Sequence, residues 1–94
     1  MSEIIRRRVV VAGLVQGVYF RDTCRRKALA HNVAGWVRNR RDGAVEAAFE
    51  GAPDDVDRLL RWARRGPEDA VVKTFTVEEE DPVGDTGFLI LPTA

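Results

Sequence analysis

The sequence predicts an α+β sandwich: an antiparallel sheet carrying two helices on one face, with a short extra strand at the C-terminal end. Three observations carry that expectation. Stretches with strand patterning and stretches with a helical apolar stripe alternate in the order βαββαβ. Each is bounded by glycine, proline or asparagine at positions where such residues end an element. Finally, right-handed crossovers put both helices of that order on the same side of one sheet.

The first strand spans about Arg6 to Ala12, and its Val9-Val10-Val11 run suits a central position covered on at least one face. A glycine-bracketed loop follows. The first helix runs from about Arg21 to Ala30 or His31, with Cys24, Ala28 and His31 on an inward stripe and Asn32 closing it in a left-handed conformation. A hairpin from Val33 to Glu50 turns at Asp42-Gly43, with Trp36 and Val37 before the turn and Val45, Ala47 and Phe49 after it. The second helix has Pro53 in its first turn, Asp54 and Asp55 behind it, a stripe of Val56, Leu59, Leu60 and Ala63, and Arg64-Arg65 before Gly66-Pro67. The fourth strand, about Ala70 to Glu79, changes parity: Ala70 and Val72 share one face, Phe75 and Val77 the other, and a bulge between them reconciles the two. After a loop at Asp81–Asp85 comes a last short strand, Gly87 to Leu91, with Pro82 and Pro92 suited to a sheet edge. There is no internal repeat, linker or low-complexity tract, so residues 1–94 read as a single domain with a ferredoxin-like arrangement.

The loop between the first strand and the first helix is the chemically distinctive segment. In Gly13-Leu14-Val15-Gln16-Gly17-Val18-Tyr19-Phe20-Arg21, two glycines let the backbone curl so that successive N–H groups face one concavity. At a helix N-terminus that concavity favours phosphate, sulfate or carboxylate. Arg21 adds a planar fork of donors matched to two oxygens of one phosphate.

Composition limits the alternatives. The chain has 45% hydrophobic and 32% charged residues, as in ordinary globular domains, and no apolar run of membrane-spanning length. Three arginines near the N-terminus precede no signal-peptide apolar core, which points to the cytoplasm. One cysteine and one histidine furnish neither an internal disulfide nor a protein-only zinc site, so no metal and no cofactor are expected. Cys24 and His31 fall on the inward helix stripe, where packing or helix-end roles suit them, and Phe20 and Trp36 read as core. The acidic run Glu78-Glu79-Glu80-Asp81 reads as a solvated edge because consecutive strand residues point to opposite faces. The net charge is zero, yet the first fifty residues hold ten Lys/Arg and five Asp/Glu. Arg38, Arg40 and Arg41 are expected with Arg21 in or beside the site, steering a small anion to it. Net neutrality argues against nucleic acid as the partner.

A second segment, Gly35-Trp36-Val37-Arg38-Asn39-Arg40-Arg41-Asp42-Gly43-Ala44-Val45, makes the pattern specific. Together the two stretches resemble the acylphosphatase signatures Gly-x-Val-Gln-Gly-Val-x-Phe-Arg and Gly-Trp-Val-x-Asn-x-x-x-Gly-x-Val, in order and at the right separation. The resemblance covers nearly the whole chain. Phe49-Glu50-Gly51, Trp62, Gly66-Pro67 and the Phe88–Ile90 strand also fall where that family places them. His31-Asn32 replace a common leucine-glycine pair, and Arg40 and Arg41 stand where small or acidic residues also occur. Neither departure touches a motif residue.

The resemblance implies hydrolysis of small-molecule acyl phosphates to carboxylate and inorganic phosphate by a metal-independent monomer, with inorganic phosphate as product and inhibitor. It implies that Arg21 binds phosphate as a catalytic residue, that Asn39 holds the attacking water, and that the backbone of Val15, Gln16, Gly17, Val18, Tyr19 and Phe20 binds phosphate. The residue types suit the task. Phosphoryl transfer needs positioning and electrostatic stabilisation of the equatorial oxygens, and an asparagine amide can fix a water without acting as a base. Two rivals differ in visible ways. An RNA-binding module of this fold carries paired aromatics on its middle strands, which are aliphatic here. The similar N-terminal domain of hydrogenase-maturation proteins, which handles carbamoyl phosphate, continues into cysteine-rich zinc motifs.

Overall fold

A computed structural model describes residues 3–94. Seven elements follow one another: β1 (Ile5–Leu14), α1 (Phe20–Ala30), β2 (Ala34–Asn39), β3 (Val45–Gly51), α2 (Pro53–Arg65), β4 (Val71–Glu80) and β5 (Phe88–Ile90). The strands form one sheet in the order β4-β1-β3-β2-β5. β1 is thus interior, as its valine run predicts, and its pairings with β3 and β4 are antiparallel, as is that of β2 with β3. The short β5 lies parallel to β2, which makes the complete sheet mixed.

Alternation along each strand sorts side chains to two faces. Val9 and Val11 of β1, Val37 of β2, Val45, Ala47 and Phe49 of β3 and Phe88 of β5 are buried in one core cluster with Cys24, Ala28, Val56, Leu59 and Ala63 from the helices. Leu60 is only partly buried at the margin of the stripe. Burial pushes the Cys24 thiol far above its usual range, which leaves it a small apolar packing group. His31 closes α1 as its C-cap, its N–H donating to Lys27 and Ala28, and Asn32 takes the expected left-handed conformation at φ 56°.

The parity change in β4 is a bulge. Thr74 faces Ala12 and Val72 faces Gly13, so Lys73 has no partner of its own, and both Val72 and Phe75 reach the core. The opposite face of the sheet is polar and cross-linked. Buried Arg6 donates to Glu50 at 3.1 Å, Glu80 at 3.0 Å and Asp85 at 2.8 Å, while Arg8 and Arg38 both reach buried Glu46 at 2.8 Å. Glu78 and Glu80 therefore belong to an ion-pair ladder and are not merely a solvated edge. Trp36 is half-buried on this face beneath the Arg38 guanidinium, 4.9 Å from its ring centre, so it lies outside the core.

Candidate active site

The segment between β1 and α1 is anchored at both ends and free in the middle. Val15 is 1% exposed and Phe20 3% exposed, the latter packed on Trp62 with ring centres 5.0 Å apart. Gly13, at φ 127°, sits opposite the β4 bulge, where a Cβ would lie 2.2 Å from the Val71 carbonyl oxygen. Between the anchors the backbone turns left-handed twice, at Gly17 (φ 75°) and at Tyr19 (φ 62°), which is the N-cap of α1. Such reversals turn successive N–H groups toward one concavity.

Helix α1 begins one residue earlier than expected and has no side-chain cap. The Tyr19 carbonyl accepts the Thr23 N–H at 3.1 Å, but among the described residues no N–H from Gln16 to Tyr19 donates to a backbone carbonyl. Those donors, and the free N–H groups of the helix's first turn, remain for an oxyanion. Arg21 forms no ion pair among the described residues, in contrast to Arg6, Arg8 and Arg38.

Asn39 is the last residue of β2, paired with Val45 across the hairpin. Its side-chain oxygen Oδ1 is buried without a hydrogen-bond partner among the described residues. The turn beyond it is held by Asp42, whose carboxylate accepts the Ala44 N–H at 3.0 Å. That bond, with the nearby Arg40 cation, holds the Asp42 carboxyl below the usual carboxylate range.

One cavity of about 440 Å³ is lined by Val15, Gly17, Tyr19, Phe20, Arg21, Asp22, Asn39 and Ile90. It thus brings together six of the eight predicted site residues. The other two serve it from outside. The Gln16 side chain turns to the hairpin, its Nε2 donating to the Arg40 carbonyl at 2.7 Å and the Ala44 carbonyl at 2.9 Å, and Val18 packs against the core. Asp22 and Ile90 were not anticipated. Asp22 is paired with Arg26 at 3.4 Å, and Ile90 arrives through the parallel pairing of β5 with β2.

The expected arginine cluster is only partly present. Arg38 points to the other sheet face and is neutralised by Glu46, and Arg40 pairs with Asp42 at 2.7 Å. None of Arg38, Arg40 and Arg41 lines the cavity. A larger cavity of about 750 Å³ lies at the C-terminal end of α2, between Arg61, Trp62 and Gly66. That end carries the negative pole of the helix dipole, and neither signature segment reaches it.

A family model described as Acylphosphatase matches residues 7–90. An acylphosphatase of Gloeobacter violaceus is 52% identical over 91 residues, covering 97% of this chain and 98% of that one. The crystal structure of acylphosphatase from Bacillus subtilis superposes with a TM-score of 0.89 at 33% identity, covering 93% of this chain and 98% of the other. Full-length HypF, in its phosphate- and nucleotide-bound form, gives a TM-score of 0.91 at 25% identity; the match covers 99% of this chain but 12% of HypF. With both signature segments meeting at one cavity on this fold, and with relatives matching end to end, the chain belongs to the acylphosphatase family.

Proposed function

We propose that this chain hydrolyses acyl phosphates with Arg21 and the 15–20 loop holding the phosphate and Asn39 placing the attacking water. The observation that carries the reading is the meeting at one cavity of a loop with unbonded N–H groups, an arginine without a carboxylate partner and an asparagine whose Oδ1 has no partner, all among the described residues. The phosphate of the substrate occupies the cradle. Backbone N–H groups and the Arg21 guanidinium stabilise the equatorial oxygens as charge spreads over them, the largest contribution available to a catalyst of this reaction.

Asn39 accepts from, or donates to, a water and fixes it in line with the scissile bond. The water oxygen forms a bond to phosphorus. The bond from phosphorus to the acyl oxygen breaks, its electron pair leaves on the carboxylate, and a water proton passes to a phosphate oxygen. Since a carboxylate leaves readily, no side chain is needed to protonate it. The reading includes no metal, in keeping with one histidine and one buried cysteine, and a monomer working on a soluble substrate in the cytoplasm.

Release of inorganic phosphate from benzoyl phosphate by the purified protein, with a chelator present, tests the proposal. Turnover that survives exhaustive chelation and is inhibited competitively by inorganic phosphate is the expected result. No turnover, or activity restored only by Mg²⁺ or Zn²⁺, contradicts it.

A further inference from the structure

β5 ends at Ile90, but its pairing with β2 continues. The Leu91 N–H donates to the Val37 carbonyl at 2.9 Å. Alternation would bring Thr93 opposite Asn39, but the segment slips by one residue. The pairing then resumes: the Ala94 N–H donates to the Asn39 carbonyl at 3.1 Å, and the Arg41 N–H donates to the Ala94 carbonyl at 2.8 Å. One residue bracketed in this way by residues i and i+2 of its neighbour is the repeating unit of a parallel ladder.

We propose that the Leu91–Ala94 segment is a positioning strap for Asn39, and that Ala94 sets the water-holding geometry without touching the substrate. The proposal rests on the reading of Asn39 as the residue that places the water. Asn39 is the terminal residue of β2, where a strand is prone to fray, and it meets β3 on one side only through Val45. Ala94 holds its other side. The strap therefore fixes the main chain of Asn39 between two neighbours, while Thr93 and Ala94 themselves stay out of the cavity wall. The phosphate cradle keeps anchors of its own, Val15 and Phe20 in the core and Gln16 on the Ala44 carbonyl, and shares with the strap only the Arg40–Arg41 peptide, whose carbonyl accepts from Gln16 and whose N–H goes to Ala94. Loosening the strap thus moves the water and leaves the phosphate site in place.

Attack geometry is sensitive to such movement, since a displacement of about 1 Å can cost on the order of 10²-fold in rate. Ala94→Pro removes the N–H donated to Asn39, whereas Ala94→Gly keeps both bonds. With benzoyl phosphate as substrate, kcat of Ala94→Pro should fall about tenfold or more with the inhibition constant of inorganic phosphate unchanged. Ala94→Gly should behave as the parent. A chain ending at Thr93 removes both bonds without a proline ring and should show the same split.

A kcat within twofold of the parent in Ala94→Pro and in the shortened chain overturns the proposal. A parallel weakening of phosphate inhibition also overturns it, because the strap would then be supporting the whole site. Asn39→Ala, measured alongside, separates the two levels of the argument. If Asn39→Ala is inactive while the Ala94 variants are fully active, only the strap fails; if Asn39→Ala turns over normally, the reading of Asn39 fails and the strap with it.

Discussion

The Gln16 side-chain amide donates to the main-chain carbonyl of Arg40 at 2.7 Å, bridging the loop proposed to cradle phosphate and the strand end that carries Asn39. The same nitrogen reaches the Ala44 carbonyl at 2.9 Å, so one amide group spans both arms of the hairpin. The bridged residues are 24 positions apart in the sequence, and the contact ties the two segments of the candidate site together. Gln16→Ala removes both bonds. At about 1 kcal/mol each, the loss should be about 2 kcal/mol. Thermal unfolding followed by circular dichroism should show it as a fall in Tm of about 10 °C. Phosphate binding should weaken at the same time. An unchanged Tm would mean that the bridge contributes nothing to holding the loop.

The glycines of the cradle should respond unequally to alanine. At Gly13 the new Cβ meets the Val71 carbonyl oxygen, part of a paired strand that cannot retreat, and the cost should exceed about 3 kcal/mol. At Gly17 nothing lies within 4 Å, so only the left-handed conformation is penalised, by about 1–2 kcal/mol. Denaturant unfolding of the two variants checks the order. Equal losses would contradict the packing described at the bulge.

Glu50 makes stability pH-dependent. Burial works to raise its pKa, but the N–H groups of Val83 and Gly84 and the Arg6 guanidinium outweigh that, and the carboxyl lies below its usual range. A carboxylate with a lowered folded-state pKa contributes stability that is present above the unfolded value and is lost as pH falls through the folded one. Glu46, held down by Arg38 and Arg8 against the same opposing effect of burial, acts in the same direction. Stability should therefore decline as the pH drops below about 4. Glu50→Gln should cost about 3 kcal/mol at neutral pH, by leaving Arg6 short of a buried partner, and should flatten the acid limb. Urea unfolding across pH measures both. A variant that keeps the parent's acid dependence would remove Glu50 from this role.

Local signals made much of this legible in the sequence. The parity change in β4 announced the bulge at Lys73, Pro53 and Gly66-Pro67 marked the ends of α2, and Asn32 marked the end of α1. What escaped depended on contacts between distant segments. Nothing local tells β5 to run parallel to β2, and so Ile90 could not be placed beside Asn39. The partners of Gln16 are main-chain carbonyls, which carry no residue-type signature. Helix α1 starts at Phe20, one residue before the sequence indicates, because Tyr19 caps it by conformation with no side-chain bond to mark the start. Strand alternation does place Arg38: if Asn39 faces the cavity, its neighbour faces the opposite side of the sheet, where Glu46 stands across from it on β3.

Arg21→Lys tests geometry apart from charge. A lysine keeps the positive charge but loses the planar fork, so benzoyl phosphate turnover should fall on the order of 10²-fold or more while the fold survives. Steady-state kinetics together with a circular dichroism spectrum decide it. Near-parental turnover would show that a point charge suffices.

The central claim is a division of labour between Arg21 and Asn39, and calorimetric titration of inorganic phosphate into Asn39→Ala tests it most directly. Asn39 is assigned to the water, so its loss should lower kcat and leave the cradle of N–H groups and Arg21 intact. The account predicts an almost inactive protein that binds phosphate with near-parental affinity, beside an Arg21→Ala protein that loses activity and most phosphate binding together. A folded Asn39→Ala protein that no longer binds phosphate would make Asn39 a ligand of the substrate or a support of the cradle, and would contradict its assignment to the attacking water.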